Sequence, residues 1–269
     1  MYRQDDQLID FERDGLAVAR TPEKTGVTAV DGARIWWALH GERGPCAFLL
    51  HGGLGHSGNW ANQIEPLLEA GYRLLLIDTR GHGRSTRDGR PFSYRLLGQD
   101  VIAVCDELEV ERFAVIGWSD GACTGLELCR SHPGRVAGLF FFACNVDPFG
   151  VMPFKLTPVI ERCLSRNRND YALLSETPEA FQEFADAVSL MQRNEPNLSA
   201  QDLETIRTPV AVAQAEFDEF IAPEHAEYLA HALPNGRLAR LPGVSHFAPI
   251  QRPHVFNAAA LAFLKSLKF

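Results

Sequence analysis

The chain has 269 residues, 46% of them hydrophobic and 22% charged, so it is long enough to bury the core of a large single domain. Its formal net charge is −8, and it contains only four lysines. This balance argues against a general binder of nucleic-acid backbones, whose affinity depends on clustered Lys and Arg. We therefore expect a small molecule as the partner, and no nucleic acid.

The N-terminal stretch MYRQDDQLIDFERDG has no apolar segment typical of a secretory signal, and no apolar run in the sequence is long enough to span a bilayer. The six cysteines form no C-x-x-C pair and lie in apolar surroundings, which favours buried thiols over disulfides or a metal site. These features predict a cytoplasmic protein with no membrane contact, no metal and no cofactor. They do not define an oligomeric state.

The strand and helix patterns alternate along most of the chain. After a polar arm at residues 1–20, the runs VTAV and RIWWAL flank an Asp-Gly pair that favours a hairpin turn. Six continuous apolar runs follow, typical of strands covered on both faces: AFLL (47–50), LLLI (74–77), FAVIGW (113–118), VAGLFFFA (136–143), VAVAQA (210–215) and RLARL (237–241). Helical spacing between most of them predicts an α/β fold, a mostly parallel sheet of eight strands with helices on both faces.

One region interrupts this alternation. From about residue 145 to 205 no strand pattern occurs, only helical stretches such as PFKLTPVIERCL and TPEAFQEFADAVSLMQR. Thr177 before Pro178 is a candidate helix cap followed by proline at the first helical position. We expect an all-helical cap inserted over one edge of the sheet, within a single domain that spans residues 1–269.

The stretch LLHGGLGHSGNW, residues 49–60, has two interpretations. Its glycines spell G-x-G-x-x-G, and an acidic residue, Asp78, lies twenty positions beyond the last of them (Gly53, Gly55, Gly58). That pattern is the outline of a dinucleotide-binding loop and predicts an oxidoreductase. The same loop can instead form a backbone pocket for a negatively charged oxygen during acyl transfer.

The segment Gly117-Trp118-Ser119-Asp120-Gly121 decides between these interpretations. It follows an apolar strand and precedes a helix, and a sharp strand-to-helix turn there needs small residues two positions on either side of a nucleophile. The turn exposes the Ser119 hydroxyl at a helix N-terminus, where the helix dipole favours developing negative charge. An oxidoreductase would leave this segment without a role.

A serine nucleophile needs a base and an acid that orients the base. His246 lies in a short loop after the last predicted strand, and Asp218 lies in the loop after VAVAQA, which matches the chain order Ser, Asp, His. Asp147 is an alternative acid, because a carboxylate one strand earlier could reach the same histidine.

Taken together, these motifs resemble those of the α/β-hydrolase fold family over residues 25–269: HGGLG (51–55), DTRGHGRS (78–85), GWSDGA (117–122), EFDEFIAP (216–223) and GVSHF (243–247). By this resemblance Ser119 is the nucleophile, Asp218 the acid and His246 the base. The backbone N–H groups of Gly53 and Asp120 would form the oxyanion hole.

The resemblance implies a serine hydrolase that cleaves a small or medium carboxylic ester through an acyl-enzyme. The elbow GWSDG is similar to that of valacyclovir hydrolase-like enzymes, in which the aspartate meets the amino group of amino acid esters. Asp120 would then read an amine, or alternatively only complement the helix dipole. Trp118, Phe149 and Met152 are further candidate substrate contacts. Lactone or C–C bond hydrolysis on the same triad, or a ligand receptor with little turnover, remain alternatives.

Overall fold

The computed structural model describes Arg13, Gly15 and residues 19–269, so most of the predicted N-terminal arm lies outside the described residues. Eight strands form one sheet: β1 (Lys24–Val30), β2 (Ala33–His40), β3 (Cys46–Leu50), β4 (Arg73–Ile77), β5 (Phe113–Trp118), β6 (Val136–Phe142), β7 (Val210–Phe217) and β8 (Gly236–Ser245). Their order is β1-β2-β4-β3-β5-β6-β7-β8. Strand β2 runs antiparallel to both of its neighbours, and all other pairs are parallel. The predicted sheet is confirmed.

The central strands are apolar on both faces because each face packs against a separate core. Along β3, alternation of side chains places Phe48 and Leu50 in one core and Ala47 and Leu49 in the other. This explains why the strand reads as a continuous apolar run rather than as an alternating one.

The structure describes nine α-helices around this sheet: α1 (Ala61–Glu69), α2 (Tyr94–Glu107), α3 (Asp120–Ser131), α4 (Pro158–Leu174), α5 (Phe181–Asn194), α6 (Ala200–Glu204), α7 (Pro223–Ala232), α8 (Ala248–Gln251) and α9 (Pro253–Lys265). Three short 3-10 helices accompany them: Ser57–Trp60, Pro148–Gly150 and Pro178–Ala180. Among the residues described, no helix combines the length and apolarity needed to cross a membrane.

The segment between β6 and β7 holds α4, α5 and α6. An isolated antiparallel bridge joins Val151 of this segment to Ile221, which follows β7. The helix expected from residue 153 begins only at Pro158, because a residue before proline avoids helical angles and Thr157 is extended (φ −113°, ψ 159°). Thr177 makes no side-chain capping bond, and α5 begins at Phe181. The division into one domain with an inserted cap stays a prediction.

The carboxyl ends of the parallel strands meet at one edge of the sheet. Gly53 follows β3, Ser119 follows β5, Asp218 follows β7 and His246 follows β8. Loops at this edge of an open α/β sheet are where ligands bind. The fold therefore brings together residues that lie far apart in sequence.

Candidate active site

Ser119 occupies a strained turn between β5 and α3. Its backbone angles are φ 54° and ψ −121°, a conformation that non-glycine residues rarely adopt. A Cβ atom at Gly117 would lie 2.6 Å from Ala122 Cα, and one at Gly121 would lie 2.0 Å from the Leu50 carbonyl oxygen. Both glycines are therefore required by close backbone approach, as the sequence pattern predicts.

Backbone hydrogen bonds hold this turn in place. The Ser119 N–H donates to the Phe142 carbonyl oxygen of β6 at 2.9 Å, and the Ala122 N–H donates to the Ser119 carbonyl oxygen at 2.7 Å. Ser119 is half-buried, whereas its neighbours Trp118 and Asp120 are only 6% and 5% exposed. The serine is thus the more accessible residue at the start of a twelve-residue helix, whose N-terminus favours negative charge.

His246 and Asp218 form a buried pair. The Nδ1 atom of His246 lies 3.1 Å from Asp218 Oδ1 and 3.3 Å from Oδ2. The same Oδ1 atom accepts the backbone N–H groups of Phe220 and Ile221 at 2.9 and 3.0 Å. The acid loop therefore fixes the carboxylate toward one ring nitrogen and leaves Nε2 on the opposite side of the imidazole.

The charge around His246 favours its protonated form. Burial alone would lower the pKa of His246, but the Asp218 carboxylate outweighs it, together with the nearby carboxylates of Glu219 and Asp120. The pKa of His246 is therefore raised above its ordinary value. Glu219 also orients the loop, because its Oε2 atom accepts the backbone N–H of His246 at 3.0 Å. An imidazole in this setting is suited to receive a proton.

The alternative acid, Asp147, faces a different histidine. Its Oδ1 atom lies 4.0 Å from Nδ1 of His225 and accepts the backbone N–H of Phe149 at 2.8 Å. It therefore caps the 3-10 helix at residues 148–150 instead of orienting His246. Of the two acids considered from sequence, the structure brings only Asp218 to His246.

The glycine loop after β3 lies against the serine turn. A Cβ atom at Gly52 would be 3.2 Å from Ser119 Cβ, and one at Gly53 would be 2.5 Å from Asp120 Oδ2. The loop therefore packs against the turn that carries Ser119, and the role of the Gly53 N–H stays a prediction.

Asp78, the acidic residue of the dinucleotide-binding interpretation, uses both carboxylate oxygens for hydrogen bonds within the protein. Its Oδ1 atom accepts the Ser57 N–H at 2.8 Å, and its Oδ2 atom accepts two N–H groups of Arg84 at 2.9 Å each. Its side chain is fully buried. The geometry thus gives Asp78 a structural role.

The Asp120 side chain accepts hydrogen bonds on both of its carboxylate oxygens. Its Oδ1 atom accepts the Tyr94 hydroxyl and its Oδ2 atom accepts Nε2 of Gln192, both at 2.9 Å. Burial raises the pKa of Asp120, although the two hydrogen bonds act in the opposite direction. Sequence reasoning missed both partners, since they lie 26 and 72 residues away and belong to α2 and α5.

Two of the candidate substrate contacts do not form an open pocket wall. The Trp118 ring packs against Trp60 and Phe247, with ring centroids 6.2 and 6.0 Å apart, and is nearly buried. Phe149 is 93% exposed, because the 3-10 turn that carries it points its ring away from the core. Their contact with a substrate stays a prediction.

Met152 lies closer to the site. It is half-buried, and its backbone N–H donates to the Phe220 carbonyl oxygen at 2.7 Å. The Phe220 ring in turn meets the His246 ring edge-on, with centroids 4.7 Å apart. Met152 is therefore attached to the loop beside the candidate base.

The thiols are structural in character. All six cysteines are buried and unbridged, as the sequence predicts. Two of them are close, with Cys123 Sγ 3.0 Å from Cys144 Sγ, and burial raises the pKa of Cys123 well above its usual range. Among the described residues, no group of three or more His, Cys, Asp or Glu side chains is arranged to hold a metal ion.

Comparison with known proteins identifies the family. Residues 48–181 match the family model for the alpha/beta hydrolase fold. RutD of Caulobacter sp. (strain K31), named as a carbamate hydrolase, is 31% identical over 87% of this chain and 96% of its own length. A hydrolase from Pseudomonas aeruginosa PA01 has a TM-score of 0.72 and 24% identity, covering 91% of this chain and 100% of its own. For an N-acyl homoserine lactone degrading enzyme the values are 0.68 and 25%, covering 88% and 100%. This chain belongs to the α/β-hydrolase fold family and is a hydrolase.

Proposed function

We propose that Ser119, His246 and Asp218 form a catalytic triad that cleaves a carboxylic ester of small or medium size. The observation that carries the proposal is the buried pair of His246 and Asp218 at the same sheet edge as the strained Ser119 turn. A serine hydroxyl becomes nucleophilic when an oriented imidazole removes its proton, and this arrangement supplies the orienting carboxylate.

In the proposed reaction the Ser119 oxygen attacks the ester carbonyl while Nε2 of His246 takes the hydroxyl proton. The imidazolium is stabilised by Asp218 and then gives its proton to the leaving alcohol, so that an acyl-enzyme forms. Water attacks the acyl group with His246 again as the base, which releases the acid and restores Ser119. The N–H groups of Gly53 and Asp120 would stabilise the oxyanion, and losing one such donor typically costs about 10²–10³ in rate.

Asp120 supports a preference for esters that carry an amine. It directly follows Ser119, it is almost fully buried, and the hydrogen bonds to its two oxygens come from neutral groups, Tyr94 and Gln192. A buried carboxylate is stabilised better by a cation than by neutral donors. A substrate ammonium next to the scissile carbonyl would meet this need.

Lactone hydrolysis is a second candidate function. It is favoured by the likeness to an N-acyl homoserine lactone degrading enzyme at 25% identity. A lactone is a cyclic ester, so Ser119, His246 and Asp218 would act on it through the same steps.

A fluorophosphonate probe tests the proposed nucleophile directly. Wild type should be labelled and Ser119→Ala should not, while Ser131→Ala, at the far end of the same helix, should be labelled like wild type. Equal labelling of wild type and Ser119→Ala would refute the triad. Rates with amino acid esters, neutral esters and lactones would then separate the two candidate functions.

A further inference from the structure

The Asp120 carboxylate is covered on both oxygens, by one buried and one exposed side chain. Tyr94, which covers Oδ1, is 4% exposed and belongs to the core. Gln192, which covers Oδ2, is an exposed residue of α5 in the predicted cap. With both in place Asp120 is only 5% exposed, so a ligand cannot reach the carboxylate unless one of them moves.

The Gln192 amide also lies over the glycine loop. A Cβ atom at Gly53 would be 2.6 Å from Gln192 Nε2 and 2.5 Å from Asp120 Oδ2. The amide therefore lies beside both the carboxylate and the residue whose N–H is proposed to bind the oxyanion. It occupies space that a substrate bound at Ser119 needs if its amine is to pair with Asp120.

We propose that Gln192 is a specificity-determining gate whose amide covers Asp120 in the free enzyme and gives way to a substrate ammonium. The inference rests on the proposed function, in which Asp120 binds the amine of the substrate. The bond from the Gln192 amide to the carboxylate has a charge on one side only, whereas an ammonium adds the attraction of a second, opposite charge, so the ammonium can replace the amide. Tyr94 stays in place because it is packed in the core.

Helix α5 does not depend on this hydrogen bond for its position. Phe184, Val188 and Met191 are buried at 0%, 1% and 3% exposure. At the end of the helix Glu195 Oε2 accepts the Tyr94 backbone N–H at 2.9 Å. Substitution of Gln192 therefore changes the cover of Asp120 while the helix remains anchored.

The test compares p-nitrophenyl esters of valine and of isovalerate, which have the same acyl skeleton with and without the amine. We expect Gln192→Ala to raise the ratio of the two kcat/KM values by about 3- to 10-fold, mainly through a lower KM for the valine ester, because the Gln192 amide no longer competes for the carboxylate. Gln192→Lys should lower the ratio, since it supplies a tethered ammonium to Asp120. Gln182→Ala is the matched control, because that amide bonds Asp186 on the outside of the same helix.

The outcomes separate the gate from the function on which it rests. If Asp120→Asn lowers the ratio but Gln192→Ala leaves it unchanged or lowers it, the gate is refuted and the amine site stands. If Asp120→Asn leaves the ratio at its wild-type value, the amine site is refuted and the gate with it. Loss of isovalerate turnover in Ser119→Ala checks the triad separately in both cases.

Discussion

Replacing Asp218 by Asn removes the negative charge that faces His246 and keeps the shape of the side chain. Because Asp218 Oδ1 already accepts the N–H groups of Phe220 and Ile221, we expect the Asn oxygen to take its place. That oxygen can still accept the proton on Nδ1 of His246, now 3.1 Å away. The imidazole should therefore keep its tautomer and lose only the charge that stabilises its protonated form.

The size of the effect follows from this geometry. Two unit charges about 4 Å apart interact by about 4 kcal/mol at an effective dielectric constant near 20. Because each 1.36 kcal/mol of activation free energy changes the rate tenfold, the loss of this interaction predicts a decrease of about 10³-fold in kcat. A carboxamide that inverted the tautomer would cost about 10⁴-fold, so the structure predicts the smaller loss.

Steady-state hydrolysis of a p-nitrophenyl ester between pH 5 and 9 measures both the loss and its cause. Wild-type activity should rise with pH as His246 loses its proton. Asp218 raises the pKa of His246, so in Asp218→Asn this rise should move to lower pH. Asp147→Asn is the matched control and should change kcat by less than about twofold, because Asp147 faces His225. A loss below tenfold in Asp218→Asn, or an equal loss in Asp147→Asn, would refute the reasoning.

Three further predictions concern the framework of the site. Gly121→Ala places a Cβ 2.0 Å from the Leu50 carbonyl oxygen, and because backbone cannot give way as a side chain can, we expect a loss of about 1–3 kcal/mol in unfolding free energy and reduced turnover. Asp100→Ala removes the carboxylate that takes two hydrogen bonds from the buried Arg80 guanidinium and leaves it with Asp88, at 3.5 Å, which should cost about 3 kcal/mol in denaturant unfolding. Burial lowers the pKa of His82 to about 3, so between pH of about 6.5 and 3 only the unfolded chain takes up its proton, and this one residue should lower the unfolding free energy by about 1.4 kcal/mol for each pH unit of acidification.

Two of these predictions have a control residue within the chain, and the third is tested by His82→Gln. A Cβ atom at Gly134 meets nothing within 4 Å, so Gly134→Ala should be tolerated. Asp106 pairs with Arg135 at the surface, and Asp106→Ala should cost less than about 1 kcal/mol. His51 also has a pKa lowered by burial, to about 4, so part of the acid slope should persist in His82→Gln. A slope in His82→Gln as steep as in wild type, or losses in the two controls equal to those at Gly121 and Asp100, would contradict the proposed causes.

The sequence was sufficient to predict the sheet, and to suggest where the candidate site residues lie, because both depend on short-range rules. Continuous apolar runs such as FAVIGW can be stable only where both faces are covered, and this predicted the strands. The glycines on either side of Ser119 reflect a turn in which a Cβ would collide with backbone, and this predicted the elbow. The loop positions of Asp218 and His246 followed from the order of the strands.

Only the tertiary structure decided what surrounds these residues. The contacts of Asp120 with Tyr94 and Gln192 reach across 26 and 72 residues to helices α2 and α5, and a polar residue at either place looks the same in sequence as any exposed one. The separation of Asp147 from His246, and the exposure of Phe149, likewise depend on the direction in which a loop leaves its strand. Local periodicity and sterics specify an element, but the neighbours of a side chain depend on how the elements pack, which no single segment encodes.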